Sequence, residues 1–122
     1  MLENQLYTIE KLDVDGEKLS ADIILNPEHD IFKGHFPDVP VLPGVIMMQM
    51  VKELVEVADQ KKYILRKAAS LKFLQMINPL DTQKLSVDVT IDRQEDQSLK
   101  LKAVLSSETA VHFKMSAQLS LV

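Results

Sequence analysis

The chain has 122 residues, 46% hydrophobic and 26% charged, with a net charge of -4; that is enough for one core without covalent staples and too little for two. The acidic balance argues against a general nucleic-acid binder, which carries a basic field. The absence of cysteine excludes disulfides, thiolate nucleophiles and Cys-based zinc sites, and with no basic leader and no run of roughly 20 apolar residues a single soluble, cytoplasmic domain over 1–122, with no membrane or nucleic-acid partner, is expected.

In chain order, Tyr7, Ile9, Leu12 and Val14 form an imperfect strand pattern that closes on the turn signal Asp13-Val14-Asp15-Gly16. Leu19, Ala21, Ile23 and Leu25 then recur at a period of two, as in a strand with one buried face. The two strands are expected to pair as a hairpin. Asn26-Pro27 breaks the second, and the segment on to Pro43 holds too many Pro and Gly residues for regular structure. Its apolar residues Ile31, Phe32, Phe36, Val39, Val41 and Leu42 mark it as an ordered, functional loop.

From Gly44 to about Asp59 the pattern is helical. Its first two turns, Val45-Ile46-Met47-Met48-Gln49-Met50, are apolar on nearly every side; polar Lys52, Glu53 and Glu56 follow in the later turns. The early turns are therefore expected to be buried all round, and with no second strong helix the cover must be sheet. Tyr63 to Phe73 is a long strand-compatible run. Strands centred on Leu85 to Ile91, Leu99 to Leu105 and Val111 to Leu121 follow, all with period two, and predict an antiparallel meander. Two strands, a loop, one buried helix and four strands make an α+β fold in which a curved antiparallel sheet wraps one central helix. Its exposed sheet edges call for pairing, which predicts a homodimer or higher oligomer.

Chemistry points to the loop. His35 is the one histidine of three set between backbone-constraining residues, in Gly34-His35-Phe36-Pro37, and imidazole suits proton transfer near neutral pH. His29 reads as a turn cap and His112 as a residue on the polar face of a strand with no assigned role. No metal motif is present. Between Gln60 and Leu80 there are five basic residues, Lys61, Lys62, Arg66, Lys67 and Lys72, and no acidic one. That run is either a solvated face or a landing patch for an acidic partner.

Gly34-His35-Phe36-Pro37, then Pro40-Val41 and Pro43-Gly44-Val45, resembles the active-site signature of the hotdog-fold 3-hydroxyacyl-acyl-carrier-protein dehydratases. A weaker likeness runs from Leu71-Lys72-Phe73 through Ile77, Pro79 and Asp81, and the order of elements is similar throughout. The resemblance implies dehydration of 3-hydroxyacyl thioesters to trans-2-enoyl thioesters in fatty acid or polyketide-like synthesis. It also implies acyl carrier protein as partner, substrate carried on its phosphopantetheine arm, no cofactor or metal, and sites shared across a dimer. Lys61, Lys62, Arg66 and Lys67 then become the carrier patch.

By the same resemblance His35 is the base for the α-proton. Gly44, at a helix start where unpaired N–H groups and the positive dipole end meet, is the oxyanion donor. Phe36, Pro40, Val41, Val45 and Met48 are expected to contact the acyl group. The sequence departs from the family at Gln49, which stands where dehydratases carry Glu or Asp; an amide is no acid, and acid–base assistance is worth about 10² to 10⁴ in rate. Gln49 as a polar positioner while His35 moves the proton, replacement by Glu53, an acid from another chain, a thioesterase, and a non-catalytic acyl-carrier-binding subunit are the alternatives.

Overall fold

A computed structural model describes residues 2–33 and 40–122. The elements are β1 (Tyr7–Asp15), β2 (Lys18–Leu25), a 3₁₀ turn (Asp30–Phe32), α1 (Gly44–Asp59), β3 (Tyr63–Phe73), β4 (Lys84–Arg93), β5 (Leu99–Ser106) and β6 (Val111–Leu121). The strands form one antiparallel sheet in the order β1-β2-β4-β5-β6-β3. The hairpin, the helix and the meander thus stand where the hydrophobic periods put them. Gly16 adopts φ 61° to turn the first hairpin, a conformation open to glycine at little cost.

Alternate residues of the strands point to the helix. Leu19, Ala21 and Ile23 on β2, Leu85, Val87 and Val89 on β4, Leu101 and Leu105 on β5, and Phe113 and Leu119 on β6 join Met47, Met50, Val51, Leu54 and Val55 of α1 in one buried cluster. Each fully buried Leu or Val contributes roughly 1.5–3 kcal/mol relative to exposure. That is what holds a lone helix in a sheet.

The burial of the helix corrects the expectation for its two halves. Val45 is 67% exposed, and Ile46, Met48 and Gln49 are only partly buried. Glu53 is 0% exposed and Glu56 is buried too. Apolar composition over-read the first two turns, because Val45 projects from the open end of the helix. The later carboxylates go inside because each meets donors, which offsets the cost of burying charge.

The sheet has two unlike edges. β1 carries a register shift at Ile9/Lys11 and the charged residues Glu10, Lys11, Asp13 and Asp15, features that discourage further pairing. Among the described residues β3 pairs only with β6, and it exposes Ala68, Ala69 and Ser70.

Candidate active site

Among the described residues the N-terminus of α1 is uncapped. Ile46 and Met47 donate their N–H groups to the Pro43 carbonyl at 3.1 and 3.2 Å, Pro43 supplies no side-chain cap, and no acidic residue lies in the first turn. Among the described residues the N–H groups of Gly44 and Val45 have no partner. They lie at the positive end of the helix dipole, where an anion or a polarised carbonyl is stabilised.

Beside this helix start lies a groove of about 300 Å³ lined by Val41, Leu42, Pro43, Gly44, Met47 and the Phe73–Met76 segment. Leu42 N–H donates to the Ile77 carbonyl at 2.9 Å, which ties the loop entering α1 to the chain leaving β3. The Phe73 ring, 56% exposed, stacks on buried Phe113 with centroids 5.1 Å apart. It also lies where a Cβ at position 44 would go. Glycine at 44 is thus demanded by close packing as well as by access to its N–H.

His112 lies inside, and this corrects its assignment to a wet strand face. Chain leaving β3 crosses over it: Leu74 N–H donates to the His112 carbonyl at 2.9 Å, and His112 Nδ1 lies 3.2 Å from the Gln75 carbonyl. A carbonyl only accepts, so Nδ1 is the donor. Nε2 meets Ser107 Oγ at 2.8 Å. His112 thereby pins the groove wall to β6. An alternating pattern does not foretell this, since the covering segment is remote in sequence.

Of the sequence candidates, Val41 and Gly44 line the groove. Val45 points outward; Pro40, Met48 and Gln49 are outside the lining. His35 and Phe36 lie outside the described residues. His29 caps the 3₁₀ turn, its Nδ1 accepting from Ile31 N–H at 3.0 Å. Lys61 and Lys62 border a hollow shared with Glu3 and Glu56, whereas Arg66 donates to Ser120 Oγ at 3.2 Å.

Gln49 is about 140° round the helix from Gly44, at roughly 100° per residue. Its amide nitrogen donates to Glu53 Oε2 at 3.0 Å. Glu53 also accepts from Leu2 N–H, 3.0 Å from each oxygen, and through Oε1 from Glu3 N–H at 3.0 Å and Tyr7 Oη at 3.1 Å. Burial pushes the carboxyl pKa up, but the bonds from Leu2, Gln49, Glu3 and Tyr7 outweigh it and hold it below the ordinary value. Burial first, then the neighbouring Glu53 charge, pushes the Tyr7 phenol up.

Two further carboxylates secure the same half of the helix. Glu56 Oε2 accepts from Tyr63 N–H at 2.9 Å and from Lys52 Nζ at 3.3 Å. Asp59 receives both Arg93 guanidinium nitrogens, at 2.9 and 3.0 Å, and Tyr63 Oη at 2.6 Å. Burial raises the Asp59 pKa, but Arg93 and Tyr63 more than reverse it; burial and Asp59 push the Tyr63 phenol up to about 12. The sequence marks Glu53 and Glu56 as polar residues of the later turns, and Glu53 also as a candidate replacement acid, not as buried anchors; their three-residue spacing with Asp59 is the available signal.

Comparison with known proteins adds four matches. A family profile described as ApeI-like, ApeI dehydratase, matches residues 11–114. A 3-hydroxyacyl-[acyl-carrier-protein] dehydratase FabZ from Koribacter versatilis is 30% identical, with 84% of this chain and 71% of the relative covered. Among solved structures, the dehydratase heterocomplex ApeI:P from Xenorhabdus doucetiae matches with a TM-score of 0.73 at 19% identity, covering 91% of this chain and 95% of that one. A thioesterase from Pseudomonas aeruginosa matches at 0.66 and 12%, covering 95% and 81%. Identities this low speak for the fold, which is the hotdog fold.

Proposed function

We propose that this chain, which belongs to the ApeI-like branch of the hotdog-fold 3-hydroxyacyl-acyl-carrier-protein dehydratases, converts 3-hydroxyacyl thioesters on acyl carrier protein to trans-2-enoyl thioesters. The observation that carries the reading is the helix start beside an apolar groove, where the N–H groups of Gly44 and Val45 have no partner among the described residues. Such donors stabilise the negative charge that grows on a thioester oxygen as the α-proton leaves. His35 takes that proton. The imidazolium then gives it to the departing β-hydroxyl, which leaves as water, while Gln49 holds the hydroxyl.

Gly44 and Gln49 face different sides of one helix, so a site using both takes Gln49 from a second copy. The free β3 edge and the apolar surface beside it, Val45, Phe73, Leu74 and Met76, support a homodimer paired through β3. The carrier docks on basic residues around β3. Besides Lys61, Lys62, Arg66 and Lys67, Lys72 lies directly opposite Lys114 and both share a hollow with Lys102. Like charges placed opposite each other cost stability alone, and an anionic partner relieves that cost.

Gln49 favours one second reading, a non-catalytic subunit that binds acyl carriers and completes an active partner; the structural neighbour from Xenorhabdus doucetiae is itself a dehydratase heterocomplex. One assay separates the readings. Purified protein is incubated with a 3-hydroxyacyl-carrier thioester, and mass spectrometry follows the products. Enoyl product supports dehydration, free thiol shows a thioesterase, and neither favours the partner role.

A further inference from the structure

Glu53 is a buried carboxylate that, among the described residues, receives four donors and forms no ion pair. A carboxylate has no hydrogen to give when ionised, so the Gln49 amide must turn its nitrogen toward Glu53. Its carbonyl oxygen then points away from Glu53. That oxygen accepts no bond from the described residues and is not sealed from solvent.

We propose that Glu53 is a positioning residue that fixes the Gln49 amide with its carbonyl oxygen outward, so that position 49 offers the substrate an acceptor where an acid would offer a proton. The inference rests on the dehydratase reading for its purpose and on the hydrogen bonds for its geometry. An outward acceptor takes the hydrogen of the β-hydroxyl and orients that oxygen for the proton coming from His35. The elimination then needs one proton carrier only: the proton removed from Cα leaves in the product water.

Substituting Glu53→Gln should reverse the polarity. Oε1 receives three of the donors and Oε2 receives Leu2 and Gln49, so the new amide keeps its oxygen at the Oε1 position and turns its NH₂ toward Gln49. Gln49 must then flip, its carbonyl inward. In ¹⁵N-labelled wild type, one Gln49 side-chain amide proton, assigned by its loss in Gln49→Met, should lie downfield and exchange slowly; in E53Q this signature should vanish. Unshifted, fast-exchanging Gln49 protons in wild type overturn the proposal whatever the activity.

Kinetics gives the second readout. E53Q and Q49M should each lower kcat for dehydration about tenfold, the worth of one hydrogen bond, and the double variant should fall no further. Additive losses overturn the proposal, because a purely structural Glu53 acts independently of Gln49. Should E53Q not fold, Gln49→Glu replaces it. Two carboxylates in contact share a proton, so kcat of Q49E should acquire a descending alkaline limb, and a profile like that of wild type overturns the proposal. Wild type with the protected amide but no dehydration overturns the dehydratase reading and leaves the orientation of Gln49 supported.

Discussion

The two halves of α1 are built on opposite terms. From Gly44 to Gln49 the helix begins without a cap, leaves two N–H groups unpaired among the described residues and faces a groove under an exposed Phe73. From Met50 to Glu56 it is largely buried, and Glu53, Glu56 and the half-buried Asp59 fasten it to the N-terminal segment, to β3 and to β4. On the proposed reading the difference assigns tasks: the fastened half holds the helix still while the open half keeps for a ligand the donors that are unpaired among the described residues. Negative charge near a helix C-terminus opposes the dipole, so the local donors must outweigh it.

The sharpest way to break the contrast is to remove the open half's access. Gly44→Ala should drive a methyl into the Phe73 ring, cost about 1–3 kcal/mol in overpacking, and reduce dehydration by two orders of magnitude or more, as when one oxyanion donor is lost. Adding Phe73→Ala should restore stability in urea titrations more than activity. If the double variant recovers full activity, blocked packing rather than donor access explains the glycine.

Next comes the fastened half. Glu53→Ala leaves the N–H groups of Leu2 and Glu3, the Tyr7 hydroxyl and the Gln49 amide without their acceptor, and about 2–4 kcal/mol of stability should be lost. Chemical denaturation checks this. Acid should act through the same groups. Glu53 and Asp59 are both held below their ordinary pKa values, so their contribution is complete above the unfolded carboxylate pKa of about 4 and is lost as pH falls through the folded values. A urea midpoint that declines below about pH 4 in wild type, and less steeply in E53Q, is the expected result.

The smallest effect belongs to the exterior. Reversing Arg66 and Lys67 to Glu should weaken carrier binding about tenfold at low salt and leave the fold intact; unchanged, salt-insensitive binding would remove the patch from the account.

Strand periods made the first hairpin and the final meander legible, and Pro43-Gly44 marked the helix start, because these signals are local; the pairing of β2 with β4 and of β3 with β6 was not legible in them. Less legible was whatever depends on distant chain. Phe73 over Gly44, His112 under Gln75, and Leu2 and Tyr7 around Glu53 each join residues far apart in sequence. Apolar composition also misjudged the first turns of α1, where Val45 is mostly exposed.

The central claim is that His35 moves the α-proton at a site the helix start completes. Hydration of a trans-2-enoyl-carrier thioester in D₂O tests it directly, because the reverse reaction must place one deuterium on Cα. Wild type should give 3-hydroxyacyl product carrying a single deuterium at C2, and His35→Ala should give none above background. Equal labelling by both proteins, or no hydration by wild type, would contradict the account.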